Sequence, residues 1–431
     1  MHQAPDVDHR LRTRLGATVG NTFASLRTRN FRLFFIGQTI SNTGNWLTTV
    51  ALTLLVLHLT HSGLAIGLIT AAQYGPLLLF SICAGAIADR HNKRNLLFVT
   101  QGLEMAESIV LAFLAFMHHP PLAALYATAV VGGTLLALDN PLRRSFVTEM
   151  VPVEDRPNAV VLYSLIVNIA RIFGPALAGL LAVTVGYGWC FSIDAASYLV
   201  VLSALWMMRP PSCTATPPRP ATKRAIRIGL RYVADNPNLW ISFVMLGAVG
   251  MLAYNFIVTL PLLVTRSLHG GDGAFTLLYS TFSAGAVVSA LVIANKKLVH
   301  LRHVIVGSAA LGLTMLGLAT VPNVGAAIPA AFLVGLTSIL YMTSTTAIIQ
   351  VEADPAFHGR ILSLQTFIIG GTACIGGPIL GWLADSTSAR VPVLLGGIVC
   401  LVAAGWGLIA NRRALRRAAP LSTVGPVDLE V

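Results

Sequence analysis

Charge is what this sequence has least of. Only 11% of its 431 residues are Asp, Glu, Lys or Arg, while 55% are hydrophobic. A soluble domain carries about a quarter charged residues. So much apolar surface cannot be solvated in water, which excludes a soluble globular protein and leaves an integral membrane protein. Cysteine is also scarce. Cys83, Cys190, Cys213, Cys374 and Cys400 are an odd, scattered set without CxxC spacing, which argues against a disulfide framework or a zinc site. His91, His118 and His119 have no ligand spacing either, so no metal is expected. There is no HExxH, no GxxxxGK[ST] and no GxGxxG after a strand. With no nucleophile–base pair in view, the chain does not read as an enzyme and needs no cofactor. Acids are outnumbered by bases, 17 to 29, giving a net charge of +12. In a soluble protein that excess would raise nucleic acid as a partner. Here basic loops on one membrane face produce the same number, so the bilayer is the expected partner and nucleic acid is not.

What is present is a series of long apolar runs. Twelve are of spanning length, at 33–58, 63–88, 95–117, 120–142, 159–183, 188–208, 239–264, 274–294, 304–321, 326–349, 361–384 and 391–411. They are continuous over about 20 residues, which suits helices crossing the bilayer and not the alternating strands, about ten residues long, of a barrel. The expected fold is therefore all-α, with twelve transmembrane helices in two six-helix bundles. With the N-terminus inside, 26 of the 29 Lys and Arg residues fall on the cytoplasmic side. Only Arg266 and Arg390 fall outside, and Arg171 lies within a span. That asymmetry places both termini in the cytoplasm. The domain plan is an N-terminal arm (1–30), a first bundle (31–208), a linker (209–238), a second bundle (239–411) and a tail (412–431). Prolines 210, 211, 217, 218 and 220 prevent a continuous helix at the linker's start. Ile226, Leu230 and Val233 then predict a short helix lying on the cytoplasmic leaflet.

The two halves echo each other. Gly174, Pro175 and Gly179 in segment 5 return as Gly377, Pro378 and Gly381 in segment 11, preceded by Gly376. Such half-length repeats mark transporters built from two related bundles. Small residues there predict close helix packing, and the prolines predict bends.

Between segments 2 and 3 lies Gly85-x-x-x-Asp89-Arg90-x-x-Lys93-Arg94. It resembles the 2–3 loop motif of the major facilitator superfamily, with Asn92 where a Gly is usual. Phe31–Gln38, Leu138–Val147 and Gly229–Val233 are similar to the bacterial drug and siderophore exporter branch that includes enterobactin and macrolide efflux proteins. The resemblance runs from about residue 27 to 411. It implies a monomeric, proton-coupled exporter of amphipathic small molecules in the inner membrane, working by alternating access and powered by the proton gradient. An importer or facilitator on the same fold is the main alternative. A non-transporting receptor or membrane enzyme is a weaker one.

Three groups of candidate residues follow. The resemblance implies a cytoplasmic gate of Gly85, Asp89, Arg90, Lys93 and Arg94, with Asp89 pairing to Arg143 or Arg144 or facing Arg360. Asp139, one turn from the inner end of segment 4, belongs with this gate. Gln38, Asn42 and Asn45 fall at i, i+4, i+7, one helical face, which must point into the bundle or a wet cavity. The family implies that segments 1, 4, 7 and 10 line the cavity, so Tyr254, Asn255, Tyr341 and Thr343 are expected to face that stripe. Many exporters of this branch carry an acid where Asn45 stands. Finally, charges inside spans are costly unless paired or wet. Glu104 and Glu107 share a face of segment 3, and Glu107 lies at about the depth of Arg171, which makes a Glu107–Arg171 pair geometrically possible, as a structural salt bridge more than as a coupling site. A desolvated acid can bind and release protons near neutral pH, so Glu104 and Glu107 are the candidate coupling residues. Asp194 is expected to accept local hydrogen bonds.

Overall fold

The computed structural model describes residues 24–90, 92–209, 230–293, 300–354 and 357–418. For residues 81–90, 168, 172, 358–360, 362, 363, 415, 417 and 418 it describes only the backbone. The helices are α1 (Arg29–Thr60), α2 (Gly63–Arg90), α3 (Lys93–Phe116), α4 (Leu122–Glu149), α5 (Arg156–Thr184) and α6 (Tyr187–Met207) in the first half. The second half has α7 (Pro237–Leu252), α8 (Asp272–Ile293), α9 (Leu301–Thr320), α10 (Val324–Glu352), α11 (His358–Ser386) and α12 (Arg390–Ala418). Among the described residues there are twelve spans long and apolar enough to cross a membrane. Large apolar side chains such as Phe113, Leu291 and Val402 are two-thirds exposed or nearly so, which only a lipid surround tolerates. An even number of spans puts both chain ends on one face, here the terminal face; the other is the distal face.

Within the first half α1 packs on α5 and α6, α2 on α4, and α3 on α4 and α6; in the second, α9 packs on α10 and α12, and α7 on α11 and α12. The halves meet along two seams, α2 against α11 and α5 against α8. Several helices outrun their apolar runs. α4 continues to Glu149, well past residue 142, because Leu142, Phe146 and Val147 extend its buried face. Asp139 is therefore ten residues from that helix end, about 15 Å at the α-helical rise, and not one turn away. Asparagines set three helix starts. Asn92 accepts from the backbone N–H of Arg94 and Asn95, Asn236 from Asn238 and Leu239, and Asn323 from Ala326. Asn92 thus serves as an N-cap at negative φ, a position that has no need of glycine.

Segment 7 is not one helix. α7 stops at Leu252, and the chain resumes as a short helix Phe256–Leu262 followed by a π-helical turn Leu263–Ser267. The Asn255 amide sits at the break and donates to the carbonyls of Gly250 (3.2 Å) and Met251 (2.9 Å), which the interruption frees. The glycine pairs do bring helices together. A Cβ on Gly377 would lie 3.2 Å from the Gly67 carbonyl, and one on Gly63 would lie 2.6 Å from that of Gly381. Gly174 packs on Trp46 and Gly179 on Thr276. α5 and α11 run through Pro175 and Pro378 without interruption. Of the expected leaflet helix, Ile226 lies outside the described residues. The helical stretch 230–235 docks on the second bundle instead, with Val233 in its core and Tyr232 stacked on Phe357 at 4.6 Å.

Candidate functional site

The terminal-face turn holds together within the first bundle. Lys93 pairs with Glu149 at the end of α4. Arg94 donates to the carbonyls of Leu205 (2.8 Å) and Trp206 (3.0 Å), two of the last acceptors of α6. The side chains of Gly85, Asp89, Arg90 and Arg360 lie outside the described residues. Arg143 is not an available partner for this turn, because it is only 3% exposed and engaged elsewhere.

Its partners form a charged cluster inside the first bundle. Arg143 makes an i,i+4 ion pair with Asp139 on α4 and a second ion pair with Glu104 of α3 at 3.2 Å. It also donates to the side-chain carbonyl oxygens of Gln38 (2.8 Å) and Asn42 (3.3 Å) on α1. Gln101 donates to both Glu104 (2.7 Å) and Asp139 (3.0 Å), and Thr100 donates to Asp139 (3.1 Å). A neighbouring group centres on Asp194 of α6, which accepts from Thr48 of α1 (2.7 Å) and Ser108 of α3 (2.8 Å). Asp194 therefore ties three helices and not only its own turn. Gly44 of α1 admits this carboxyl, since a Cβ there would meet it.

Two expectations are corrected by this cluster. Gln38 and Asn42 do not line the cavity; Gln38 is 1% exposed, and both amides are turned into the bundle by the buried guanidinium, which has five donors to satisfy. Glu107 does not pair with Arg171. α3 packs on α4 and α6, where Glu107 lies against Gly132 of α4, while Arg171 faces α1 with its guanidinium 5.3 Å from the Trp46 ring centroid. The buried pair is Glu104–Arg143.

Between the bundles lies a cavity of about 800 Å³. Its deeper wall includes Trp46, Tyr74, Arg171, Tyr254, Asn255, Phe256, Tyr279 and Tyr341. Arg144, Val147, Val160, Gln350 and Gln365 line it towards the terminal face, onto which it opens. Tyr254, Asn255 and Tyr341 are where the sequence placed them. Asn45 and Thr343 are not part of the lining; Trp46 and Thr49 present α1 to the cavity instead.

The distal face is shut by contacts that the sequence reading missed. Asp385 at the end of α11 accepts from Ser62 Oγ (2.8 Å) and from the backbone N–H of Gly63 (2.7 Å) and Leu64 (2.9 Å), the first turn of α2. Arg266 pairs with Asp385 at 2.7 Å and donates to the His61 carbonyl across the seam. On the second seam Tyr187 donates to Asp272 at 2.6 Å. The available signal was Arg266 itself, one of only two bases that the sequence places on that face. The charged lock described between the halves thus lies on the distal face, and the cavity is accessible from the terminal face.

Comparison with known proteins agrees with this architecture. The model of the transmembrane secretion effector family matches residues 20–423. The chain is 23% identical to the staphyloferrin A transporter of Staphylococcus aureus over 339 residues, 77% of this chain and 84% of that protein. It is 25% identical to the enterobactin exporter of Escherichia coli over 413 residues, 91% of this chain and 95% of that protein. Among solved structures, a bacterial homologue of the human lysosomal transporter Spinster in an inward-facing, unoccupied conformation superposes with a TM-score of 0.74 at 15% identity, covering 90% of this chain and 98% of that one. A peptide transporter of the POT family superposes with a TM-score of 0.70 at 16% identity, covering 90% and 95%. Those likenesses carry the fold, and the family match carries the membership: the chain belongs to the transmembrane secretion effector family of the major facilitator superfamily and is a multi-pass membrane transporter.

Proposed function

We propose that the protein exports amphipathic small molecules of drug or siderophore size across the bacterial inner membrane in exchange for protons, as a monomer that alternates access and performs no covalent chemistry. In this reading the terminal face is cytoplasmic, as the basic residues argue, and the structure is the state that loads cargo from the cytoplasm. The two relatives named above both handle siderophores, which suggests the cargo class.

One observation carries the coupling: three carboxyls, Glu104 and Asp139 paired to Arg143 and Asp194 in the neighbouring group, share the first bundle's interior with that single guanidinium, and all four residues are 3% exposed or less. One cation cannot balance three anions, and an uncompensated charge inside a membrane span is costly. The cluster is therefore a place where a proton is held, and where its release lets Arg143 redistribute between Glu104, Asp139 and the α1 amides. Arg144, the next residue along α4, lines the cavity, so a movement of α4 reaches cargo and cluster together. Neither Glu107 nor Arg171 belongs to this coupling group. The test is cargo flux in proteoliposomes with an imposed pH gradient, candidate siderophores and drugs being screened in turn. Cargo-dependent proton movement in the opposite direction is expected. Cargo movement that ignores the gradient would leave a facilitator, and co-directional movement an importer.

A further inference from the structure

The cavity has a charge signature of its own. Among the described residues lining it, the only charged ones are Arg144 and Arg171, and none is Asp or Glu. Glu104, Asp139 and Asp194 are turned away from it, into the first bundle. Arg171 is at the same time unusually free. Its Nε is buried without a hydrogen-bond partner, its guanidinium lies over the Trp46 ring, and among the described residues no carboxylate pairs with it. Tyr74, Tyr254 and Tyr279 line the same cavity. On α8, which packs against α5, Ser283, 2% exposed, also has a hydroxyl without a partner. Buried donors left open in this way cost stability unless something comes to use them.

We infer that the cavity is an anion site: Arg171, lying over the Trp46 ring, receives a carboxylate-like or phenolate group of an amphipathic cargo whose aromatic or apolar body lies against Tyr74, Tyr254, Tyr279 and Phe256. A planar guanidinium binds a two-oxygen anion through paired hydrogen bonds, and the low-dielectric wall strengthens that contact. The cation–π contact with Trp46 restrains the guanidinium before the ligand arrives, so less side-chain entropy is lost on binding. Arg144 extends the positive field to the cavity mouth, where it attracts anions and repels cations. The volume of about 800 Å³ suits an organic molecule of several rings. This inference rests on the cavity being the cargo site but not on the direction or coupling proposed above.

Two dyes test it, because fluorescein and rhodamine 123 share a xanthene body and differ in charge. Equilibrium dialysis against protein in nanodiscs, with empty nanodiscs as blank, is expected to show fluorescein bound about tenfold or more tighter than rhodamine 123. Arg171→Gln should lose that preference, and Arg171→Lys, which keeps the charge but not the fork, should fall between. Thermal unfolding of each variant checks that it is folded, and Ser283→Ala gives a milder second probe of the same wall. Equal affinities, undetectable fluorescein binding, or fluorescein binding unchanged in folded Arg171→Gln would overturn the inference. Dye flux in proteoliposomes separates it from the transport reading. Arg171-dependent anion binding without gradient-driven flux keeps the site and removes the exporter; gradient-driven flux of rhodamine 123 alone does the reverse.

Discussion

The two bundles share a fold and differ in what they bury. The first encloses Glu104, Asp139, Arg143 and Asp194; among the described residues the second buries no charged side chain at all. The offset of 203 residues that carries Gly174 onto Gly377 makes the difference concrete. It places Met342 and Thr346 where α4 has Asp139 and Arg143, Gly307 where α3 has Glu104, and Gly397 where α6 has Asp194. The glycines are used for packing. A Cβ on Gly307 would lie 3.0 Å from the Tyr341 Cα, and one on Gly397 would lie 3.0 Å from the Gly312 carbonyl. The second bundle is thus held by close helix contact of the small-residue kind, the first by a polar network that must stay satisfied. A body that packs tightly and a body that carries charge are suited to different tasks: one to rock as a unit, the other to respond to protonation.

The sharpest way to break this contrast is to remove the same position from each half. Arg143→Met strands two buried carboxyls and should destabilise the protein by about 3–5 kcal/mol, read as a large fall in the thermal unfolding midpoint in detergent. Thr346→Met, its counterpart, should cost about 1 kcal/mol or less, since it leaves no charge unpaired. Equal losses would mean that the cluster is no more than ordinary packing. Next in size is a functional effect. Glu104→Gln keeps the shape and the contact with Gln101 but removes an ionisable carboxyl. Gradient-driven transport should fall about tenfold or more, while cargo exchange without a gradient stays within about twofold. Loss of both activities together would assign Glu104 to the fold instead of to coupling.

The third prediction moves to the seam. Asp385→Asn preserves the side chain's outline but weakens four contacts to α2 and Arg266 at once. Hydrogen bonds to a charged group are worth about 1.5–3 kcal/mol each when buried, so even at this half-buried site a shift of about 1 kcal/mol away from the distal-closed state is expected. Spin-label distances across the distal face, between α2 and α11, would report it as a longer-distance population. An unchanged distribution would show that the glycine seam alone keeps that face shut.

How far this arrangement is legible in the sequence depends on what kind of fact is asked for. Twelve spans, two halves and the close-packing glycines follow from local hydropathy and residue size, so they were readable. So was the cost of charge inside a span, which singled out Glu104, Glu107 and Arg171. The pairing was not readable. Depth along the helix made Glu107 and Arg171 suitable partners, but pairing depends on helix rotation and on which helix lies between, and α4 lies against Glu107. Gln38 and Asn42 fell on one polar face as expected; a polar face turns towards a cavity or a buried ion with the same periodicity, and only the position of Arg143 decides which. Asp385 lies one residue past the apolar run 361–384 and was not singled out, because nothing local marks a carboxylate as the cap of a helix more than 300 residues earlier.

The smallest expected effect tests the break in segment 7, the point where the second bundle's tight packing gives way beside the cavity. Asn255 satisfies the Gly250 and Met251 carbonyls with one amide, and Gly376 of α11 approaches so closely that a Cβ there would lie 2.7 Å from that amide. Asn255 is 2% exposed, and Asn255→Ala removes both bonds and leaves the Gly250 and Met251 carbonyls without this partner. The cost should be about 1–2 kcal/mol, less if water from the cavity replaces the amide. Asn255→Asp cannot donate and should cost at least as much, whereas Asn255→Gln retains the donor and should cost less only if the longer chain fits beside Gly376. If all three variants unfold at the wild-type temperature, the break is set by the short helix Phe256–Leu262 and its π-helical turn, not by the amide. The second bundle would then tolerate an open backbone at its centre, which the closeness of its packing elsewhere argues against.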